Sequence, residues 1–148
     1  MKLIPIRSKD LEKELSDYKF EVSKKDIIQI MDDKIILINK IPFFFYHEKK
    51  LVPTLKLLIQ KDLLQSVYVD QGAIKFVIKG ADIMRPGITA FDSEIKNGDF
   101  IVIKDSLHKK PLAVGISLYS SEEISKLKTG IILRNIHFLG DDLWKISL

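Results

Sequence analysis

Val69-Asp70-Gln71-Gly72-Ala73-Ile74-Lys75-Phe76-Val77-Ile78-Lys79-Gly80 reads as one helix whose two ends are both written into the sequence. Asp70 is the N-cap, and Val69 can staple onto Ile74 across it. Gly80 supplies the left-handed exit. Ala73, Ile74, Val77 and Ile78 form the expected buried face, while Lys75 and Lys79 stand i, i+4 on the solvent side, a like-charge pairing that costs a few tenths of a kcal/mol. Glycine in a first helical turn costs about 0.5–1 kcal/mol against alanine. Gly72 therefore predicts the close approach of another backbone. A short strand, Ala81 to Met84, is expected next, and then Arg85-Pro86-Gly87-Ile88, where Pro at i+1 and Gly at i+2 specify a type II turn with Arg85 held extended. Small residues at Gly72, Ala73, Gly80, Ala81 and Gly87 leave backbone groups open, flanked by Lys75, Lys79 and Arg85 for phosphates. A nucleotide strand fits such a groove. Caps, turn glycines and spaced lysines also arise for folding alone, so the residues by themselves leave both readings open.

Working outward, the region from Val67 onward has short β-rich runs separated by glycine turns, the texture of a small barrel or sandwich. Asn97-Gly98 turns into a strand from Phe100 to Ile103, and Pro111 leads into another from Leu112 to Leu118. Ser120 and Glu123 form a capping box, with Gly130 as the exit of that helix. Strands over Ile131–Leu133 and Leu143–Ser147 complete the unit. Upstream, Ser8 is expected to cap a helix with an apolar stripe of Leu11, Leu15 and Tyr18. Ile27–Met31 and Lys34–Ile38 read as a hairpin across Asp32-Asp33, and Ile41–Tyr46 as a strand covered on both faces. Pro53 is placed as the first residue of a helix that carries Leu55, Leu58 and Ile59 inward. The boundary falls near Ser66, giving an α+β chain with a small α/β domain over residues 1–66 and a β-rich domain over 67–148.

The 148 residues contain no cysteine, which excludes disulfides, thiolate metal sites and a cysteine nucleophile. Met1 to Ile6 is too short an apolar run for a signal-peptide core, and no stretch approaches membrane-spanning length. A cytoplasmic location without membrane association is expected. The net charge of +4 permits a polyanionic partner, but any such site must be local because no basic tail exists. His47, His108 and His137 show no metal-ligand spacing. Asp141-Asp142 beside Gly140 reads as a turn rather than an acid/base pair, and His137 as a strand side chain with a hydrogen-bonding duty. Trp144 and the run Phe43–Tyr46 could stack bases, although strand spacing favours core packing. No catalytic residue, metal or cofactor is assigned.

The string from Val69 to Val77 followed by Gly80-Ala81-Asp82-Ile83-Met84-Arg85-Pro86-Gly87-Ile88 resembles the first helix and strand of a PUA domain, named for pseudouridine synthase and archaeosine transglycosylase. Asn97-Gly98-Asp99-Phe100-Ile101-Val102 and Leu112-Ala113-Val114-Gly115 are similar to its inner strands. More narrowly, Val52-Pro53-Thr54-Leu55-Lys56-Leu57-Leu58 and the stretch from Asn135 to Trp144 resemble the malignant T-cell amplified sequence family. Arg85 stands where eukaryotic members carry an uncharged residue, so the chain is more similar to archaeal members. The resemblance implies a PUA-type mixed β pseudo-barrel with flanking helices behind a pre-PUA domain. It implies an RNA-binding translation accessory factor acting on tRNA and the small ribosomal subunit in initiation, re-initiation or recycling, with an initiation-factor-like protein as a further partner. The RNA site it selects is Gly72, Ala73, Lys75, Lys79, Gly80, Ala81, Met84, Arg85, Pro86 and Gly87. The alternatives are an RNA-targeting accessory subunit of a tRNA- or rRNA-modifying enzyme and a purely protein-binding module built on the N-terminal unit.

Overall fold

A computed structural model describes residues 1–148, and the chain divides into two compact units, 1–63 with 146–148, and 64–145. The fold is α+β with short helices, its C-terminal unit a nearly closed β pseudo-barrel.

In the first unit β1 (Leu3–Pro5), β2 (Ile28–Met31), β3 (Ile35–Ile38), β4 (Ile41–His47) and β5 (Lys50–Pro53) pair antiparallel in that order. Each of the last three connections is a tight turn with two successive left-handed residues: Asp32 and Asp33, Asn39 and Lys40, Glu48 and Lys49. Turns of this hand match the twist of the strands they join. Here they are built without glycine, and Asn39 offsets part of that strain because its Oδ1 accepts from Ile27 N at 2.9 Å and its Nδ2 donates to Asp26 at 2.9 Å. Phe44 is fully buried, as the apolar run suggested, whereas Ile41 at the strand's start is exposed. Leu11, Leu15, Phe20, Ile28, Ile36 and Leu57 join Phe44 in the core, Phe20 meeting it edge to face with centroids 5.3 Å apart.

Two expectations are corrected in this unit. Ser8 does not cap a long helix. Residues Ser8–Asp10 form a 3-10 turn behind extended Arg7, and α1 covers only Glu12–Ser16, so Leu11 and Leu15 are buried but Tyr18 lies beyond the helix. The Tyr18 hydroxyl donates to Leu51 O, and burial, with Asp17 and Glu14 nearby, pushes its pKa up to about 12. Pro53 closes β5 instead of opening the next helix, α2 (Leu55–Leu58). Thr54 is the N-cap because its buried hydroxyl both donates to Pro42 O at 2.7 Å and accepts from Leu57 N. That register turns Leu57 inward and leaves Ile59 exposed.

In the second unit β6 (Gln65–Val69), β7 (Ile83–Met84), β8 (Ile88–Phe91), β9 (Phe100–Asp105), β10 (Pro111–Ser117) and β11 (Ile131–Phe138) form one sheet in the order β7-β11-β10-β9-β6-β8. β7 and β8 are the sheet's outer strands, yet only three residues separate them in the chain, so the sheet must curl until its edges meet. Only β6 and β9 run parallel. Val67, Val69, Ile101, Ile103, Ala113, Ile132 and Leu133 fill the barrel. A bulge at Val114 and Gly115 turns β10, and a Cβ at Gly115 would lie 2.9 Å from Arg134 O, so only glycine fits.

α3 (Gln71–Val77) and α4 (Ser121–Lys126) flank the barrel. The Ser120–Glu123 capping box is present, but α4 ends at extended Leu127 and Gly130 sits in the following turn, so it is not the helix exit. The expected strand over Leu143–Ser147 is absent, and β11 runs five residues further than the sequence suggested. Asp141 is the cause. Its carboxylate accepts from Phe138 N at 2.9 Å and Trp144 N at 2.8 Å, turning the chain out of the sheet.

Candidate nucleic-acid interface

α3 is fixed at both ends as its sequence demands. Asp70 Oδ1 accepts from Ala73 N at 2.9 Å, and Asp70 N donates to Gly87 O at 2.9 Å, which ties the helix start to the turn after β7. At the other end Gly80 N donates to Val77 O and Ala81 N to Phe76 O, with Gly80 at φ +95°, the pairing of a Schellman exit. A Cβ at Gly80 would also stand 2.9 Å from the Phe138 ring. Asn135 on β11 clamps the same loop, its Nδ2 lying 3.0 Å from both Val77 O and Ala81 O, while its backbone N–H donates to Asp82 Oδ1 at 3.0 Å.

Between α3 and the β7 segment lies a groove of about 520 Å³. Its walls include Gly72, Ala73, Phe76 and Val77 from the helix, and Ala81, Asp82, Met84, Pro86 and Gly87 from the segment opposite. Phe76 is 56% exposed and Met84 48%, large apolar side chains left in water on facing walls. Asp70 and Asp82 are the ionisable groups of the lining. The Lys75 ammonium lies 5.2 Å from the centre of the Phe76 ring, and Lys79 is exposed one turn further along.

Six of the ten residues selected from sequence thus share this groove: Gly72, Ala73, Ala81, Met84, Pro86 and Gly87. Lys75 and Lys79 flank it, and Gly80 shapes the exit behind it. Arg85 does something else. Its Nε donates to Ile124 O at 3.0 Å and its Nη1 to Ile88 O at 3.3 Å, with the guanidinium 5.6 Å from the Phe91 ring, so its charge is committed to the barrel and not presented in the groove.

Arg85-Pro86-Gly87 is also not a type II turn. The three residues form a 3-10 turn closed by Ile88 N to Arg85 O, and Gly87 does not adopt positive φ. A Cβ there would sit 3.4 Å from Ala73 Cβ, so a small residue keeps α3 close. Gly72 meets no other backbone, since the nearest atom to an added Cβ is Asp70 Oδ1 at 3.5 Å. Its missing side chain leaves space in the groove. Ile78, expected inside, is 39% exposed because the helix has already ended at Val77.

The backbone of the segment is less available than its small residues suggested. Ala73 N, Gly80 N, Ala81 N, Ala81 O and Gly87 O all have partners within the fold. Contacts to a ligand therefore fall chiefly on side chains, and Phe76, Asp70 and Asp82 were missed as candidates. An aromatic on the solvent side of an otherwise correctly read helix was the signal for Phe76.

His137 is buried in β11 with Nδ1 2.8 Å from Asp141 Oδ2. Burial works to raise the Asp141 pKa, but the His137 hydrogen bond and the N–H groups of Trp144 and Phe138 outweigh it and hold the carboxyl below its usual range. The pair anchors the C-terminal turn. No three His, Cys, Asp or Glu side chains gather into a cation site.

Residues 65–139 match the PUA domain, and residues 7–61 match a domain of unknown function. An uncharacterised protein of Methanocaldococcus jannaschii is 44% identical over 125 residues, 81% of this chain and 75% of that one. Translation machinery-associated protein 20 of Saccharomyces cerevisiae is 35% identical over 138 residues, 86% of this chain and 76% of that protein. Among solved structures, a hypothetical protein from Pyrococcus horikoshii superposes with a TM-score of 0.84 at 30% identity, over 99% of this chain and 100% of that one. A chain of an H/ACA ribonucleoprotein bound to a substrate RNA superposes with a TM-score of 0.53 at 26% identity, over 67% of this chain and 31% of that one.

Proposed function

Because this chain belongs to the PUA-domain family that includes translation machinery-associated protein 20 and the malignant T-cell-amplified sequence proteins, we propose that it is a non-catalytic RNA-binding accessory factor of translation. In this reading it acts on tRNA at the small ribosomal subunit, in the cytoplasm, and holds single-stranded RNA in the groove between α3 and β7. An initiation-factor-like protein is its further partner. The division into a pre-PUA domain over 1–66 and an RNA-binding domain over 67–148 belongs to the same proposal. No helix is long and apolar enough to cross a membrane.

The observation that carries the reading is the groove itself. It is open, walled by the exposed Phe76 and Met84, and bordered by Lys75, so one strand can put a base against apolar surface and its phosphates against an ammonium group. Stacking on an aromatic side chain contributes about 1–3 kcal/mol per base. Titrating labelled tRNA at low and moderate salt tests it: binding that weakens with salt, and weakens about tenfold in Phe76→Ala with an unchanged melting temperature, is the expected result. Folded protein that leaves tRNA free at both salts rejects the proposal.

The similarity to a chain of an RNA-bound H/ACA ribonucleoprotein supports a second reading, an RNA-targeting subunit for a modifying enzyme. Affinity purification separates the two. Ribosomal subunits in the eluate favour the first, and a modification enzyme without them favours the second.

A further inference from the structure

Resting on the RNA-groove reading above, we propose that the strand held in the groove continues over the outer shoulder of α3 onto the loop between β9 and β10, where Lys109 and Lys110 take its phosphates. A buried acid fixes that loop. Asp105, 4% exposed, accepts from the N–H groups of His108 and Lys110 and from the Gln71 side chain on α3, while its carbonyl accepts from Lys109 N at 2.9 Å. Ser106 N donates to Val69 O at 2.9 Å, which ties the same loop to the end of β6 just before α3. Burial works to raise the Asp105 pKa, but the hydrogen bonds to its carboxylate outweigh it and hold the carboxyl below its usual range. That negative charge faces inward, and the five residues that follow, Ser106 to Lys110, contain no acid. What the loop shows to solvent is cationic.

Three placements make this charge continuous with the groove. Gln71 and Lys75 stand i, i+4 on one face of α3, so the face that meets the loop through Gln71 carries Lys75 one turn further on. Lys75 in turn stands 5.2 Å from the centre of the Phe76 ring on the groove wall. The Lys109 ammonium lies 5.5 Å from the centre of the Tyr68 ring, on the strand that leads into α3, and Lys110 is exposed beside it in sequence. An aromatic face holds an ammonium in place but leaves its charge, whereas a carboxylate would cancel it. Leu107 at the loop's tip is 66% exposed and offers aliphatic surface to a base or ribose of the same strand. Phosphate contacts fix register and add affinity without reading sequence. The loop therefore lengthens the site and does not alter its choice of base.

The test uses the full chain with labelled adenosine oligonucleotides of two lengths, a trimer that fills the groove and a nonamer that reaches the loop. The double variant Lys109→Ala, Lys110→Ala is expected to bind the nonamer about tenfold more weakly and the trimer as the parent does. Its slope of log affinity against log salt for the nonamer should fall by about 1.4, two phosphates at about 0.7 each. Lys109→Arg with Lys110→Arg should restore both quantities, and equal melting temperatures show that neither change acts through folding. Phe76→Ala, by contrast, should weaken both lengths. Nonamer affinity and slope unchanged in the double alanine variant overturn the inference while leaving the groove reading in place. An equal loss on the trimer overturns it too, since the lysines would then act within the groove. Capture of a glutamate nonapeptide that the double variant abolishes, with nonamer binding unaffected, assigns the loop to an acidic protein and also overturns it. Neither oligonucleotide bound by the folded parent at low salt overturns the RNA reading as well.

Discussion

Gly72 and Gly80 lie eight residues apart in one capped helix and serve opposite ends. At Gly72 an added methyl group meets only Asp70 Oδ1 at 3.5 Å, and no positive φ is required, so Gly72→Ala should stabilise the protein by about 0.5–1 kcal/mol. The same methyl group enters the groove. A higher melting temperature together with weaker tRNA binding is therefore expected, and a rise in stability with unchanged affinity would show that the groove has room to spare. Gly80 combines φ +95° with a Phe138 contact of 2.9 Å. Gly80→Ala should cost more than about 1 kcal/mol, visible as a lowered urea midpoint. Arg85 makes the complementary point about charge. A cation beside a Pro-Gly pair looks like a phosphate contact, yet three-dimensional neighbours far away in sequence, Ile124 above all, determine where its guanidinium goes.

At the level of elements, α3 and the turn at its exit carry the cations that remain for phosphates at the groove, Lys75 and Lys79. If Lys75 neutralises one phosphate of a single strand, Lys75→Ala should reduce the slope of log affinity against log salt by about 0.7, with little change in stability. An unchanged slope would remove Lys75 from the interface. The C-terminal turn behaves differently because a half-buried charge, paired with buried His137, holds it. Asp141 has a folded pKa below the usual value near 4, so its contribution is present at neutral pH and is lost as pH falls through the depressed value. Thermal melts between pH 6 and pH 2 should show a steeper acid loss in the parent than in Asp141→Asn. At pH 7 that substitution should cost about 1–2 kcal/mol through its weakened bonds to His137 and the two N–H groups.

For the whole molecule, local signals and long-range ones separate by distance along the chain. The Asp70 cap, the Gly80 exit, the Ser120–Glu123 box and the Asp32-Asp33 turn each depend on groups a few residues apart, and each was legible. So was the α+β class, with its β-rich second unit carrying the flanking helices. The lengths of α1 and β11 were not, since Tyr18 finds its partner at Leu51 and β11 is extended by pairing with β10. The candidate site divides the same way. Sequence alone determined a doubly capped helix followed by small residues and flanked by lysines, because caps and turns are settled by hydrogen bonds within one or two turns of chain. Only the tertiary structure decided that Arg85 turns inward, that Asn135 clamps the loop from β11, and that Phe76, Asp70 and Asp82 line the groove. Those outcomes depend on which strand lies beside β7 and on which backbone groups the barrel has already paired, and neither is encoded within the segment itself.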